Sequence, residues 1–336
     1  TTAATAVTAT LIATTSNPSP SNAADATAAT AVKPPPTLKQ VLNQSAKKAI
    51  SGGKAGATAS IFQVLSLMWL RTSMNYQYRY GGSLSSSLST LYADGGVPRL
   101  YQGLPFALVQ GPLTRFGDTA ANVGILALLE SIPECASLPL PVKTACGSIC
   151  AGLWRIILMP VDTSKTVMQV EGREGLENLV ENVKSNGASP LYRGALASAA
   201  ATAVGHFPWF LTYNFLNDAL PIVSTTGDEN VILLKLARSA FLGLSASCVS
   251  DVCSNSLRVI KTTKQTAGLT EGGDNSNNNN DEKQKELSYK EAVNIILEKD
   301  GFVGLFGRGL QTRLLTNAIQ GAVFSVLWRY FQEMSA

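Results

Sequence analysis

The chain has 336 residues, of which 45% are hydrophobic and only 15% are charged, and its net charge is +4. Soluble domains usually carry about 25% charged residues, so this composition favours a membrane protein with a polar interior pathway. The small net charge, without a dense basic stripe, argues against nucleic acid as a partner. Five cysteines and one histidine fit neither a disulfide framework nor a metal site. We expect no metal and no cofactor, and no nucleophile–base pair or nucleotide-binding loop indicates an enzyme.

The N-terminal segment, residues 1–44, is rich in alanine, threonine and proline and contains no arginine. Nothing in it repeats with a helical period, so we predict that it is disordered. Targeting segments are also poor in acidic residues. A targeting role is therefore one interpretation, and the composition suits a plastid signal at least as well as a mitochondrial one.

Six long, weakly polar segments follow, near residues 46–76, 104–129, 143–169, 194–216, 231–263 and 310–331. The fourth has 23 residues without Lys, Arg, Asp or Glu, which is long enough for a helix to cross a hydrocarbon layer of ~30 Å. Residues 266–287 are a low-complexity loop insertion before the last segment. The pattern predicts six membrane-spanning helices.

An internal repeat links these segments. The sequence LYQG at 100–103 recurs as LYRG at 191–194, and DGFVGLFGRG at 300–309 is a third copy. Upstream of each copy, a basic residue stands near the end of an apolar run: Arg71, Lys165 and Arg258. A regular period of this size indicates tandem structural units. We predict three two-helix repeats, at 45–131, 141–222 and 229–334.

The most complete copy lies in the stretch LMPVDTSKTVMQVEG, where Pro160, Asp162, Lys165 and Gln169 follow the pattern Pro-x-acid-x-x-base-x-x-x-Gln. With the Tyr-Arg-Gly at 192–194, these residues resemble the signature of the mitochondrial carrier family, over roughly residues 45–334. The resemblance implies an all-α membrane protein: six transmembrane helices with pseudo-three-fold symmetry and short loop helices around a water-filled cavity. It also implies a helix kink at Pro160 and a gate brace at Gln169.

The resemblance implies a matrix-side gate, whose acid and base lie on one helical face because they are three residues apart. Its members here are Arg71, Asp162, Lys165, Asn255 and Arg258, so one acid faces three bases. We expect Asp162 to pair with Arg71, which leaves Lys165 and Arg258 without carboxylate partners. Asn255 then offers Lys165 a neutral hydrogen bond, and the gate is looser than usual. The alternative is a local Asp162–Lys165 pair that only stabilises a helix end.

The opposite gate departs further from the family pattern of an aromatic, an acid and a base. The positions that correspond to it are Tyr213, Asn214, Asn217, Trp328 and Arg329. They are neutral or incomplete, so closure on that side is expected to rest on hydrogen bonds and packing.

Counting from the aligned glycines, the resemblance places substrate contacts at Gln110, Ala201, Thr202 and Thr316. None is charged, which disfavours nucleotides and dicarboxylates as solutes. Arg115, Asp118, His206 and Arg313 are polar groups near these positions. Arg115 and Asp118 together suit the carboxylate and amine of a zwitterion. The alternative interpretations are that Arg313 anchors the fold and that His206 is a packing residue.

Two functions remain open at this point. The first is transport of a small metabolite or cofactor across an organelle inner membrane by alternating access. The second is a carrier fold that has lost transport and serves as a structural or assembly subunit of a membrane complex. The expected partners are a small solute and the lipid bilayer, with cardiolipin at the N-termini of the even-numbered helices, and the chain acts as a monomer or as a subunit. The expected location is the mitochondrial inner membrane, with the plastid envelope as the alternative.

Overall fold

The computed structural model describes residues 39, 40, 43, 53–132, 135, 137–221, 229–267, 269 and 287–335. Within these ranges the chain is helical with short connections, and no β-strand is present. The all-α prediction is confirmed for this part of the chain. The predicted disordered segment 1–44, apart from three of its residues, and most of the 266–287 insertion lie outside the described residues.

Helices follow one another with short breaks. In chain order they are α1 (Gly53–Tyr80), α2 (Leu84–Leu100), α3 (Leu104–Ser131), α4 (Leu140–Ile157), α5 (Met159–Val170), α6 (Gly172–Asn186), a 3₁₀ turn (Ser189–Tyr192), α7 (Ala195–Ala219), α8 (Glu229–Thr266), α9 (Tyr289–Gly307) and α10 (Leu310–Ser335). Each of the six long segments predicted from the sequence is helical where it is described, and α2, α6 and α9 are the helices of the connections.

The longer helices form a closed ring. Helix α1 contacts α3, α3 contacts α4, α4 contacts α7, α7 contacts α8, α8 contacts α10, and α10 returns to α1. The outside of this ring is apolar; exposed side chains there include Ile149, Leu153, Leu211, Phe215 and Phe241. Polar side chains such as Gln63, Thr72, Thr163 and Gln265 are buried inside. Apolar groups outside and polar groups inside are typical of a bundle surrounded by hydrocarbon rather than water.

The length and mean hydropathy of each described helix can be compared with what a membrane span requires. Among the described helices, none is by itself both long and apolar enough to cross a membrane. The bent pair formed by Val142–Ile157 and Met159–Val170 meets that measure when its two parts are taken together.

The bend in this pair lies at the predicted kink proline. Helix α4 ends at Ile157, and the two helix axes differ by 68°. Pro160 occupies the first turn of α5, where a missing backbone N–H leaves no helical hydrogen bond unmade. The proline therefore starts a new helix rather than interrupting a continuous one.

Three glycines allow long helices to begin in close contact with a neighbouring helix. Gly103, Gly194 and Gly309 each begin a long helix with a positive φ, of 84°, 80° and 65°. A Cβ on Gly103 would lie 3.0 Å from the carbonyl oxygen of Lys165, and one on Gly194 would lie 3.0 Å from that of Lys261. A Cβ on Gly309 would lie 3.2 Å from the carbonyl oxygen of Met74 and closer still to Tyr78. The structurally equivalent positions on α1, α5 and α8 are therefore 74, 165 and 261.

Substituting one of these glycines tests the contact. Gly194→Ala should lower the melting temperature of the detergent-solubilised protein more than Gly82→Ala. Both glycines have positive φ, but no atom lies within 4 Å of a Cβ at Gly82. The left-handed backbone costs about 1–2 kcal/mol at either site, and the tight contact at Gly194 adds about 1–3 kcal/mol. Equal shifts for the two variants would contradict this packing.

Candidate functional site

A cavity open to solvent lies within the ring of helices; together with its open mouth it has about 1330 Å³ of space free of protein atoms. Two sets of residues predicted separately from the sequence line it together. From the predicted substrate positions these are Gln110, Ala201, Thr202, His206, Arg313 and Thr316, and from the predicted gate they are Arg71, Asp162, Lys165, Gln169 and Arg258. The candidate site is therefore a single polar space that contains both the contact positions and the gate.

The Asp162 carboxylate is the most highly connected group among the predicted gate residues. Its Oδ1 accepts hydrogen bonds from Gln110 Nε2 at 2.5 Å and from Lys165 Nζ at 3.2 Å. Its Oδ2 forms an ion pair with Lys261 and accepts a hydrogen bond from Gln265 Nε2 at 3.3 Å. The side chain is only 8% exposed. One acid thus connects α3, α5 and α8 through charged and amide donors.

Two of the expected gate contacts are wrong. Lys165 does have a carboxylate partner, because its ammonium lies against Asp162 in its own helix. Asn255 does not bond to Lys165; it donates to the backbone carbonyls of Phe306 and Arg308, at 2.8 and 3.1 Å. Its short, buried side chain faces the junction of α9 and α10 and braces that junction instead of the gate.

The alignment of the gate positions also needs correction. Because Met74, Lys165 and Lys261 are equivalent in the structure, Arg71 and Arg258 lie one turn earlier, at the level of Asp162. Two of the three positions at that level are therefore occupied by arginine rather than by an acid.

Glutamine side chains brace the ends of these helices. Gln169 accepts a hydrogen bond from Asn75 Nδ2 of α1 at 2.6 Å. Gln265, at the corresponding position of α8, donates to Thr163 Oγ1 at 3.0 Å as well as to Asp162. Gln169 therefore connects α5 to α1, and Gln265 connects α8 to α5.

A second charged cluster lies on the cavity wall between α3 and α4. Arg155 donates through Nη2 to Asp118 Oδ2 at 2.9 Å and through Nη1 to Thr114 Oγ1 at 3.0 Å. The arginine and aspartate side chains are only 14% and 15% exposed. The predicted Asp118 is thus held by Arg155. Arg115 belongs to α3, but its side chain lies outside the described part of the structure.

A third cluster joins α8 to α10. Arg313 Nε donates to Asp251 Oδ1 at 2.5 Å, and Asn317 Nδ2 donates to Asp251 Oδ2. Asp251 also attracts Arg258 electrostatically, while Arg258 Nε donates to Ser254 Oγ at 3.2 Å. Arg313 therefore both lines the cavity and ties two neighbouring helices together.

Charge is unevenly distributed in the cavity. Among the described lining residues, the bases are Arg71, Arg155, Lys165, Arg258, Lys261 and Arg313, and the acid is Asp162. Asp118 and Asp251 neutralise two of the arginines from behind. Positive charge remains in excess inside this cavity, and a cleft lined by one sign of charge attracts ions of the opposite sign.

The remaining predicted contact positions make local bonds. The hydroxyls of Thr202 and Thr316 donate to the carbonyls of Ser198 and Thr312 in their own helices. Ala201 is buried in the wall. His206 lines the cavity with its ring edge-on to Phe210, at a centroid distance of 6.3 Å.

Two described residues of the predicted opposite gate, Tyr213 and Asn217, lie at the contact between α7 and α8. Tyr213 stacks on Trp209 with ring centroids 5.1 Å apart, and Asn217 Oδ1 accepts from Arg238 Nη1 at 3.1 Å. Asn214 is exposed. Trp328 and Arg329 lie in α10, and their side chains are outside the described part. Tyr213 and Asn217 thus hold α7 against α8 instead of lining the cavity.

Sequence reasoning missed three charged residues of the site: Arg155, Lys261 and Asp251. Arg155 is a lone base inside the apolar run LWRIIL, and Asp251 is a lone acid inside SCVSDVC. Such isolated charges within a long apolar helix were the available signal, since they must face a partner or water.

Sequence comparison finds known proteins that are similar to this chain. The profile of the family described as "Mitochondrial carrier protein" matches residues 136–223 and 233–335, more than half of the chain. The "Peroxisomal adenine nucleotide transporter 1" of Saccharomyces cerevisiae is 23% identical over 193 residues, which is 50% of this chain and 55% of that protein. The chain thus spans about half the length of this curated relative. Family members are transporters rather than enzymes. With its ring of helices around a polar cavity, the chain belongs to the mitochondrial carrier family.

Proposed function

We propose that the protein transports a small anionic solute across an organelle membrane by alternating access. The observation that carries this proposal is the excess of positive charge in the cavity, where six bases and one acid line the wall among the described residues. A buried excess of charge is unfavourable without counter-charges. A solute that brings negative charge supplies them.

The cavity changes the solute class favoured by the sequence alone. The uncharged contact positions disfavoured nucleotides, but Arg155 and Lys261 place cations beside those positions. The zwitterion hypothesis loses its basis because Asp118 is already paired with Arg155. The name of the yeast relative specifies adenine nucleotides, which are polyanions, so nucleotides and other phosphorylated solutes become the first candidates.

The proposed membrane arrangement has six spans in three repeats. The closed ring of helices, its apolar exterior and the matching environments of Gly103, Gly194 and Gly309 support it. The contacts around Asp162 then close one side of the membrane. Exchange between this closed state and one closed on the other side moves the solute, and solute binding shifts the balance between the two states.

The organelle is left open by the relatives, since the family is mitochondrial in name and the yeast protein is peroxisomal. We keep the mitochondrial inner membrane as the proposed location, with the lipid bilayer and cardiolipin as lipid partners. Fractionation of a tagged full-length chain distinguishes this location from the peroxisomal membrane and the plastid envelope.

Uptake by proteoliposomes tests the function. Purified protein should take up labelled adenine nucleotides or pyrophosphate faster than liposomes without protein, and faster than it takes up arginine or a neutral amino acid. Raising the ionic strength should reduce the rate, because salt screens exposed and partly exposed charges. Preferred uptake of a cationic or zwitterionic solute would contradict the proposal.

The structural-subunit alternative predicts a different result from the same preparation. Uptake of no solute, together with stoichiometric retention in a complex purified from native membranes, would replace transport with assembly. Specific uptake of any solute would exclude a protein that has lost transport.

A further inference from the structure

One side chain connects the cavity wall directly to the gate. Gln110 of α3 accepts a hydrogen bond from Lys165 Nζ through Oε1 at 2.5 Å and donates to Asp162 Oδ1 through Nε2 at 2.5 Å. Lys165 Nζ also lies 3.2 Å from that same carboxylate oxygen. The amide, the ammonium and the carboxylate therefore form a closed triangle between α3 and α5.

This position is unusual among the predicted substrate contacts. Thr202 and Thr316 make their side-chain hydrogen bonds within their own helices, whereas the Gln110 amide bonds to both members of the gate pair. The other oxygen of Asp162 is held from α8 by Lys261 and Gln265. Among the predicted substrate contacts that the structure describes, Gln110 is thus the one whose movement would change the hydrogen bonds of Asp162.

An anionic oxygen competes well for the place that Gln110 occupies. The ammonium of Lys165 makes a charge-assisted hydrogen bond with either acceptor, but an anionic oxygen adds the Coulomb attraction of an opposite charge, which a neutral amide oxygen lacks. In this structure the Lys165 ammonium donates to the neutral amide oxygen of Gln110. An oxygen of a phosphate or carboxylate group that reaches Lys165 forms the stronger bond, and the amide is displaced.

We propose that Gln110 is the positioning residue through which a bound anionic solute releases the gate. The solute oxygen replaces Gln110 Oε1 on Lys165, the amide turns away, and Asp162 loses the hydrogen bond from Nε2. The inference rests on the proposed function, because it requires an anionic solute in this cavity. It assigns the recognition of that solute's anionic group to Lys165 and the coupling to the gate to Gln110.

Cross-linking below the gate tests this role. Tyr80 Oη at the end of α1 donates to both carboxylate oxygens of Glu171, the residue that directly follows α5, at 2.9 and 2.8 Å. Tyr80→Cys with Glu171→Cys therefore places thiols at the ends of α1 and α5, which meet when the gate is closed. The native cysteines, Cys135, Cys146, Cys150, Cys248 and Cys253, are replaced by serine. The rate of linkage by a short bifunctional thiol reagent then reports closure in proteoliposomes.

Without solute, Gln110→Leu in this background should cross-link about tenfold more slowly, because two hydrogen bonds to charged groups are lost. Ser148→Ala serves as the control, because this buried hydroxyl of α4 bonds only to Thr144 O in its own helix and does not line the cavity, so the rate should be unchanged. Gln110→Asn keeps the amide on a shorter side chain and should give an intermediate rate; it also covers the case in which the leucine variant does not fold. An unchanged rate in both Gln110 variants would overturn the inference.

Anions provide the second measurement. Pyrophosphate should slow cross-linking when Gln110 is present and have little further effect in Gln110→Leu; equal slowing in both would overturn the displacement step. Malonate in place of pyrophosphate distinguishes carboxylate from phosphate recognition, and an effect of arginine alone would overturn the anionic class. A protein that shows these effects but takes up no anion would contradict the proposed transport while leaving the role of Gln110 in place.

Discussion

Asp162→Asn should abolish solute uptake and lower the free energy of unfolding by about 3–5 kcal/mol, the usual effect of removing one partner from a buried ion pair. The Asp162 carboxylate is the shared partner of Lys165 and Lys261. Without it, two ammonium groups face each other across the α5–α8 contact. The measurements are thermal unfolding in detergent and uptake by proteoliposomes.

Two variants show whether charge balance causes this effect. Adding Lys261→Met to Asp162→Asn removes one of the unpaired bases and should recover part of the lost thermal stability. Asp94→Asn breaks the Asp94–Arg99 pair, but the Asp94 side chain is 61% exposed, so its effect should stay below about 1 kcal/mol. Wild-type unfolding and uptake in Asp162→Asn would show that the gate does not depend on this acid.

Arg155→Gln should reduce uptake of anions by about a hundredfold or more, since a buried pair is broken and a cavity cation is lost. It should also destabilise the protein, because the carboxylate of Asp118 remains buried without its arginine. Asp118 Oδ1 already has no hydrogen-bond partner among the described atoms, so the arginine is its main compensation. Uptake kinetics and the melting temperature are measured together.

The double variant Arg155→Gln with Asp118→Asn separates the two effects. It replaces the ion pair with two neutral amides, so the melting temperature should recover, whereas anion uptake should stay low because the cation is still absent. Thr114→Val removes only one hydrogen bond, from the Arg155 guanidinium to a neutral hydroxyl, and leaves the ion pair in place, so it should reduce uptake less than Arg155→Gln does. Recovery of anion uptake in the double variant would show that Arg155 has only a structural role.

The sequence was sufficient to predict the helices and the presence of the cavity. Long apolar segments punctuated by Gly-containing repeats predict helices near 104–129 and 194–216, and the structure has α3 and α7 there. Counting from the glycines correctly placed Gln110, Thr202 and Thr316 on the cavity wall. These predictions succeed because helical periodicity and glycine turns are local properties of the chain.

The ion-pair partners of Asp162 could not be predicted from the sequence. Matching basic residue to basic residue aligned Arg71 and Arg258 with Lys165, at spacings of 94 and 93 residues. The LYQG–LYRG spacing of 91 residues instead relates Lys165 to Met74, and the structure follows that spacing. The partners of Asp162 depend on which side chains of α3 and α8 lie close to it in the folded protein. Residue spacing within α5 cannot predict those contacts.

The closed ring of helices has a consequence for the smallest functional unit of this protein. The family match at 136–223 and 233–335 covers α4, α7, α8 and α10 but not α1 and α3. Those two helices stand between α10 and α4 in the ring. A fragment with only the matched residues would have a gap in its wall, and Asp162 and Arg155 would be exposed through that gap. The two helices that the family profile does not match are therefore the ones that complete the enclosure of the charged interior.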